Sequence, residues 1–169
     1  DSGVAPHWLK PARAAIEKAA GRVVVEVVPA GEASKSREEW ARLTDRLLAR
    51  GCGRDTTIVA LGGGMVGDLA GFVAATFMRG VALVQVPTTL LAMVDASLGG
   101  KVAVDTPAGK NLVGAFHPPA AVVIDTRTLS TLPARQVRAG FAEILKHGAI
   151  RDAGFFAAAA RAAQRVADA

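Results

Sequence analysis

Thr56–Phe72 reads "TTIVALGGGMVGDLAGF", and this stretch decides the fold. Its first half, Thr56–Leu61, is short, apolar and β-branched, which is typical of a buried strand. Three glycines follow, and then comes a helix-like segment that begins at Met65. A strand that runs through glycines into a helix is the basic unit of an α/β sheet. We expect the glycines to adopt positive φ and to leave room for the close approach of a ligand.

The same alternation continues on both sides of this stretch. Further strands are predicted at 22–28, 81–87 and 120–126. Helices are predicted between them: one capped by Ser36 and ended by Gly51, one over 65–78, one over 88–97 and one over 132–150. The fold class is therefore α/β, a Rossmann-like parallel sheet flanked by helices. The residues after 150 read as the start of a further, helical domain, so we expect domains at 1–150 and 151–169.

Ligands of parallel sheets bind at the carboxyl ends of the strands. The glycine loop, the Thr88–Thr89 pair and the 126–131 loop all follow predicted strands and should meet at one edge. Free amides at a helix start favour an anion, and a pyrophosphate suits them. Asp68, in the first turn of that helix, should face the same crevice. The run is neither the usual dinucleotide-binding fingerprint nor a Walker A loop, so a plain tight turn between strand and helix remains an alternative.

Composition narrows the class of protein. The chain has 169 residues, of which 51% are hydrophobic, with a net charge of +5 and the single cysteine Cys52. We expect a reducing, cytoplasmic setting, no membrane span and no signal peptide. The basic residues are scattered, so a small phosphate-bearing ligand is predicted rather than nucleic acid. The chain lacks a starting Met and stops within a helix-like run, which suggests a piece of a longer protein.

Three motifs carry a specific resemblance. They are "ALGGGMVGDLAGFVAATFMRG" (60–80), "VQVPTTLLAMVDASLGGKVAVDTPAGKNLVGAF" (84–116) and "TLPARQVRAGFAEILKHG" (131–148). Together they resemble the 3-dehydroquinate synthases from about residue 29 to residue 150. That family converts the keto acid phosphate DAHP to 3-dehydroquinate and phosphate in the shikimate pathway. The resemblance implies NAD and a divalent metal, zinc or cobalt, with transient oxidation, phosphate elimination, reduction and aldol closure.

The resemblance also implies site residues. Glu32 and Lys35 contact the adenosine end of NAD, and Asp68 reaches its nicotinamide side. The remaining cofactor contacts are Gly64, Met65, Val66, Gly67, Thr88, Thr89, Lys101, Lys110, Thr128, Leu129 and Thr131. The catalytic and substrate contacts are Asp95, Lys101, Asn111, Lys146 and Arg79, the last near the phosphate and within reach of a neighbouring subunit's site. A homodimer is expected on the same ground.

Glu143 matches the metal-binding carboxylate of the family. Glu143 and Lys146 are three residues apart on a helix, which from spacing alone is an ordinary surface ion pair. His147 shares that face, but the family's other two ligands are histidines much further along its longer chain, so His147 is not expected to bind metal. Zinc needs three or four protein ligands, and we therefore expect the chain alone to be inactive.

Two other functions stay open. One is a different sugar phosphate cyclase, of the 2-deoxy-scyllo-inosose or valiolone synthase type, which shares the fold. The other is a binding module that keeps NAD but has lost catalysis. A polyol dehydrogenase of the same superfamily is a more distant alternative.

Overall fold

A computed structural model describes residues 1–167 of the chain. Its centre is a parallel sheet with strand order β1-β2-β5, formed by Thr57–Gly62, Ala82–Pro87 and Ala121–Val122. β1 and β2 pair over their full length, from Thr57 beside Ala82 to Gly62 beside Pro87. The predicted parallel α/β sheet is thereby confirmed. Residues 168–169, which belong to the predicted second domain, lie outside the described residues.

Helices surround this sheet. Helix α1 spans Ala5–Ala20, α2 spans Arg37–Ala49 and α3 spans Gly64–Thr76. A short π-helical turn, Ala92–Ala96, follows β2, and a 3-10 helix, Thr126–Thr131, follows β5. Helices α4 (Ala134–Arg151) and α5 (Ala153–Ala167) pack against each other at the end of the chain. No helix within residues 1–167 is long and apolar enough to cross a bilayer.

A β-hairpin covers the other side of α3. Its strands β3 (Lys101–Thr106) and β4 (Gly109–Phe116) are antiparallel and form a separate two-stranded sheet. A Cβ at Gly71 of α3 would lie 2.2 Å from Val102 Cγ1, so only glycine lets the helix lie this close to β3. Leu69, Leu83 and Val104 are at most 1% exposed and join helix, sheet and hairpin into one core. Burial of each leucine contributes roughly 2 kcal/mol.

Several local predictions hold. Ser36 caps α2 through a hydrogen bond that Glu39 N–H donates to its Oγ, and Gly51 follows the helix end with φ 67°. Strands β1 and β2 lie within a residue of their expected bounds. Phe155 and Phe156 of α5 are 49% and 40% exposed.

Three local predictions are wrong or incomplete. Residues 22–28 are not part of a strand; a backbone hydrogen bond from Ser2 N–H reaches Val28 O, but no ladder forms. The expected strand at 120–126 shortens to Ala121–Val122. The 88–97 helix becomes one short turn that continues into the π-helical turn. In each case β-branched or helical propensity is present, but propensity alone does not decide whether or how far an element extends.

Candidate cofactor-binding site

The glycine turn lies at the carboxyl edge of the sheet, as predicted, but its glycines have another role. None of Gly62, Gly63, Gly64 and Gly67 has a positive φ. A Cβ there would lie 2.7, 3.0, 3.2 and 2.9 Å, respectively, from atoms of the protein itself. The expectation of left-handed glycines is therefore wrong. The glycines let the turn pack tightly on its neighbours, and this packing sets where α3 begins.

The start of α3 nevertheless offers donors to an anion. The amides of Gly64, Met65 and Val66 form its first turn and have no intrahelical acceptor. The N-cap residue Gly63 has no side chain that could accept from them. Partial positive charge from the helix dipole adds to these amides. The turn therefore has the chemistry of a phosphate-binding helix start.

Thr88 and Thr89 follow β2 beside this turn. Thr88 N–H donates to Gly62 O over 2.9 Å, which fixes the end of β2 against the end of β1. Thr88 is 4% exposed, and its Oγ1 has no hydrogen-bond partner in the described part of the chain. A buried hydroxyl without a partner is costly unless a ligand or water satisfies it. Thr89 Oγ1 instead accepts from Ala92 N–H over 3.2 Å.

Lys35 is the centre of a buried ionic cluster next to α3. It is 4% exposed, and its Nζ donates to Asn111 Oδ1 over 2.7 Å and to Asp68 Oδ2 over 3.2 Å. Carboxylate oxygens of Glu32 and Asp105 lie 3.2 and 3.5 Å from the same nitrogen. Glu32 and Lys35 were expected at the far end of the cofactor from Asp68. These contacts bring all three predicted residues together in one cluster.

Burial and charge act against each other in this cluster. Burial favours the neutral form of Lys35, but the carboxylates of Asp68 and Glu32 outweigh it, and the pKa of Lys35 is raised. Burial raises the pKa of Asp68, and the Lys35 ammonium only partly offsets that rise. Asp68 lies in the second turn of α3 rather than in the first, since the helix begins at Gly64.

Three of the five predicted catalytic and substrate contacts, together with the predicted cofactor contact Asp68, lie around an open cleft of about 570 Å³. Asp68, Asp95, Lys101 and Asn111 all line it. Asn111 has a left-handed backbone, φ 58°, an uncommon conformation that asparagine tolerates better than most residues. The adjacent residue Lys110 is exposed, and its Nζ lies 3.2 Å from Glu32 Oε1.

Arg79 is not part of that cleft. It is exposed, has φ 70°, and forms no ion pair within the described residues. The structure does not bring it to the other predicted substrate contacts. An exposed arginine of this kind is free to meet a ligand or a second chain, which is compatible with its expected position beside a neighbouring subunit.

The 3-10 helix after β5 forms the third part of the edge. Thr128 is buried and Leu129 half-buried, whereas Thr131 is exposed. Trp8 of α1 donates through Nε1 to Thr131 Oγ1 over 2.8 Å and so ties the first helix to this turn. Sequence reasoning missed α1 and Trp8. Proline near the first helical position, Pro6, followed by an amphipathic run was the available signal.

A second polar cluster joins α4 to the π-helical turn. Lys146 Nζ lies 3.3 Å from Asp95 Oδ1 and forms an ion pair with Glu143 as well. Ligand atoms of Asp95, Glu143 and His147 all lie within 4.8 Å of one another. Two carboxylates and an imidazole suit a borderline divalent cation. The predicted carboxylate therefore has two further potential donors beside it, one of them the histidine that had not been expected to bind metal.

His117 and Cys52 have structural surroundings. The Nε2 of His117 lies 2.9 Å from Val81 O, which holds the end of β4 to the start of β2. Cys52 is half-buried and packs on the core.

Comparison with known proteins gives a consistent result. The sequence profile of the 3-dehydroquinate synthase N-terminal family matches residues 25–139. A 3-dehydroquinate synthase of Xanthomonas axonopodis pv. citri (strain 306) is 60% identical over 158 residues. That alignment covers 92% of this chain but only 43% of the relative, so the chain spans less than half of that protein's length.

Solved structures agree. A 2-epi-5-epi-valiolone synthase from Streptomyces hygroscopicus subsp. jinggangensis 5008, solved with NAD⁺ and Zn²⁺, has a TM-score of 0.76 at 31% identity and covers 98% of this chain and 52% of its own. A 2-deoxy-scyllo-inosose synthase, solved with carbaglucose-6-phosphate, NAD⁺ and Co²⁺, has a TM-score of 0.67 at 48% identity over 69% of this chain and 32% of its own. The chain belongs to the 3-dehydroquinate synthase family, by a match to that family's N-terminal domain.

Proposed function

We propose that this chain is the nucleotide-binding part of a 3-dehydroquinate synthase, a lyase of aromatic amino acid biosynthesis. The reaction converts DAHP to 3-dehydroquinate and phosphate. The observation that carries the proposal is the open start of α3 beside Thr88, whose buried Oγ1 has no partner in the described part of the chain. Donors and an unsatisfied hydroxyl at the carboxyl edge of a parallel sheet are what a dinucleotide needs.

NAD would lie along this edge. The amides of Gly64, Met65 and Val66 would face its diphosphate, and Gly67, whose N–H donates to Gly63 O, would leave room beside it. The residues that would line its course are Thr88, Thr89, Thr128, Leu129 and Thr131. The Lys35 cluster has two ammonium groups, Lys35 and Lys110, against three carboxylates. It therefore carries one net negative charge, which suits the cationic nicotinamide ring better than the diphosphate. Asp68 and Asn111 would orient that ring over the cleft, and hydride transfer depends on such positioning.

The substrate would occupy the cleft of about 570 Å³. Lys101 is exposed there and is free to pair with a phosphate or a carboxylate. Lys146 is shared between Asp95 and Glu143 and could turn to a substrate oxygen once a cation satisfied those carboxylates. Arg79 would reach the phosphate from a neighbouring subunit, which makes a homodimer part of this proposal.

A divalent cation, zinc or cobalt, would bind at Glu143. The donor set fits, because Asp95 and His147 bring the number of ligands to the minimum of three that zinc uses. When bound, such a cation polarises a hydroxyl or carbonyl oxygen as a Lewis acid. The carboxylates of Glu143 and Asp95 would neutralise the charge of the cation, and Lys146 would stay protonated beside the substrate.

The isolated chain is proposed to bind NAD without turning over DAHP, since it spans 43% of the Xanthomonas relative. Residues 1–150 would form the NAD-binding domain, and 151–169 would begin the helical domain. A cytoplasmic location is part of the same proposal, because one half-buried cysteine suits a reducing compartment.

Calorimetry with NAD⁺ tests the cofactor part. Thr88→Val removes the unsatisfied hydroxyl and keeps its shape, so NAD⁺ should bind about fivefold more weakly. Thr44→Val is the matched control, because Thr44 Oγ1 only donates to Ala41 O within α2. Wild-type protein that releases no heat with millimolar NAD⁺, or equal loss in both variants, would contradict the proposal.

A related cyclase remains the second candidate, supported by the 48% identity to a 2-deoxy-scyllo-inosose synthase. Identification by chromatography of the product formed by a longer protein containing this chain separates the two. Formation of 3-dehydroquinate from DAHP supports the main proposal, and a carbocycle formed from another sugar phosphate supports the alternative.

A further inference from the structure

Asp105 holds the Lys35 cluster together, although it was not among the predicted site residues. It lies near the end of β3, where the pairing with β4 shifts between Val104 and Thr106. Its N–H donates to Lys35 O over 2.7 Å, and its backbone forms an isolated bridge with Ser36. The irregularity in the hairpin thus turns Asp105 out of the ladder and towards the segment that carries Lys35.

The Asp105 side chain makes two contacts of its own. Oδ1 accepts from Asn111 N–H over 2.9 Å and lies 3.5 Å from Lys35 Nζ. The first contact fixes the backbone of Asn111, which has the left-handed conformation. The second holds the ammonium group that donates to Asn111 Oδ1. Both the backbone and the side chain of Asn111 are therefore restrained through one carboxylate.

We propose that Asp105 is a positioning residue of the cofactor site, acting through Asn111. By accepting a hydrogen bond from the backbone N–H of Asn111, it keeps Asn111 in the one backbone conformation that directs its side-chain amide to Lys35 and the cleft. Asp105 itself does not line the cleft and need not touch the ligand. This inference rests on the proposed binding of NAD at that cleft. It predicts that the geometry at residue 111 affects affinity more than the single charge of residue 105 does.

Three variants separate positioning from mere stability. Asp105→Ala removes the acceptor, and NAD⁺ should bind about tenfold more weakly. Asp105→Asn keeps an oxygen acceptor for Asn111 N–H, so affinity should stay within about threefold of wild type. Thr106→Val is the matched control: Thr106 Oγ1 donates to Gly109 O within the hairpin and touches neither Lys35 nor Asn111. That change should lower the melting temperature without changing affinity.

Calorimetry gives the affinities, and ¹⁵N-resolved NMR of the Asn111 amide gives a readout independent of the ligand. The Asn111 signal should shift in Asp105→Ala and stay near its wild-type position in Asp105→Asn. Equal weakening in Asp105→Asn and Asp105→Ala, or in Thr106→Val, would overturn the inference. If Asp105→Ala fails to fold, hydrogen exchange provides the test. The backbone N–H of Asn111 should be protected in wild type and in Asp105→Asn, and rapid exchange of that N–H in either protein overturns the proposal.

The two proposals fail separately. A wild-type protein that does not bind NAD⁺ refutes the proposed cofactor, yet the Asn111 amide still reports whether Asp105 restrains it. If NAD⁺ binds normally and the NMR signal of the Asn111 backbone amide is the same whichever residue stands at position 105, only the positioning role is refuted.

Discussion

Lys35→Met removes the one ammonium group that three carboxylates share and keeps most of the apolar stem. Lys35 is 4% exposed, so water cannot readily replace it. Asp68 and Asp105, with side chains 22% and 20% exposed, would be left facing each other without a counter-charge. Asn111 Oδ1 would also lose its donor over 2.7 Å. We therefore expect the substitution of this one buried lysine to cause a large loss of stability.

The magnitude follows from the burial of the partners. Removing one member of a buried ion pair costs about 3–5 kcal/mol when the remaining charge is fully enclosed. Here the remaining carboxylates keep about a fifth of their exposure, so some hydration persists. We expect a loss of about 2–3 kcal/mol in the free energy of unfolding. For a chain of this length that corresponds to a fall of about 4–12 °C in melting temperature.

Urea unfolding followed by circular dichroism at pH 7 measures this loss. Lys110→Met is the matched control, because Lys110 is 69% exposed and pairs only with Glu32; it should cost less than about 1 kcal/mol. Equal losses in the two variants, or a change below 0.5 kcal/mol in Lys35→Met (a typical surface value), would refute the cluster as a stabilising unit.

The pH dependence gives a second check on Lys35. The pKa of Lys35 is raised in the folded protein from its ordinary 10.5. Its contribution to stability is therefore complete below pH 10.5 and is lost as the pH rises through the higher folded pKa. The stability difference between wild type and Lys35→Met should narrow over that range. A difference that stays constant there would contradict the charge-based explanation.

Three further changes test other parts of the structure. Gly71→Ala should cost about 1–3 kcal/mol by overpacking against Val102, and Val102→Ala in the same protein should recover part of it; no loss would mean that α3 and β3 are further apart. Asp68→Asn should raise the melting temperature at pH 7, because the raised pKa of Asp68 means that its ionised form destabilises the fold. The same change should lower NAD⁺ affinity. The gain in melting temperature should vanish below pH 3.8, and a gain that persists there contradicts this explanation. Glu143→Gln should weaken Co²⁺ binding, followed by visible absorption, at least about tenfold. Glu17→Gln, in α1 and paired with Arg13, should not change it, and equal affinity in both variants would exclude Glu143 as a ligand.

Local rules were sufficient where an element is defined by its own residues. Ser36 and Gly51 bound α2 because a side-chain cap and a left-handed glycine act over a few residues. β1 and β2 are apolar runs that pair with each other over their full length, so the sequence pattern and the observed strands agree. Local reasoning was insufficient for residues 22–28, because the strand propensity of a valine-rich run does not by itself produce the hydrogen-bonded ladder that defines a strand.

The candidate site was only partly predictable for a related reason. The resemblance supplied Lys35, Asp68 and Asn111 individually, but Lys35 is 33 residues from Asp68 and 76 from Asn111 in sequence. Their convergence depends on how the β3–β4 hairpin closes over α3. Asp105 lies within the quoted motif 84–116 but was not among the predicted site residues, since its role depends on an irregularity in strand pairing that sequence periodicity does not reveal.

The glycine turn connects packing with ligand approach. At Gly67 a Cβ would lie 2.9 Å from the side-chain oxygen of Gln85, and at Gly63 3.0 Å from Thr89. Larger residues would push α3 away from β2 and misplace its open amino end before any ligand arrived. Loss of NAD⁺ affinity on substituting these glycines would therefore not distinguish direct contact from displaced backbone. Thr88 does distinguish them, because its hydroxyl is unsatisfied in the described residues and its removal leaves the packing of the turn intact.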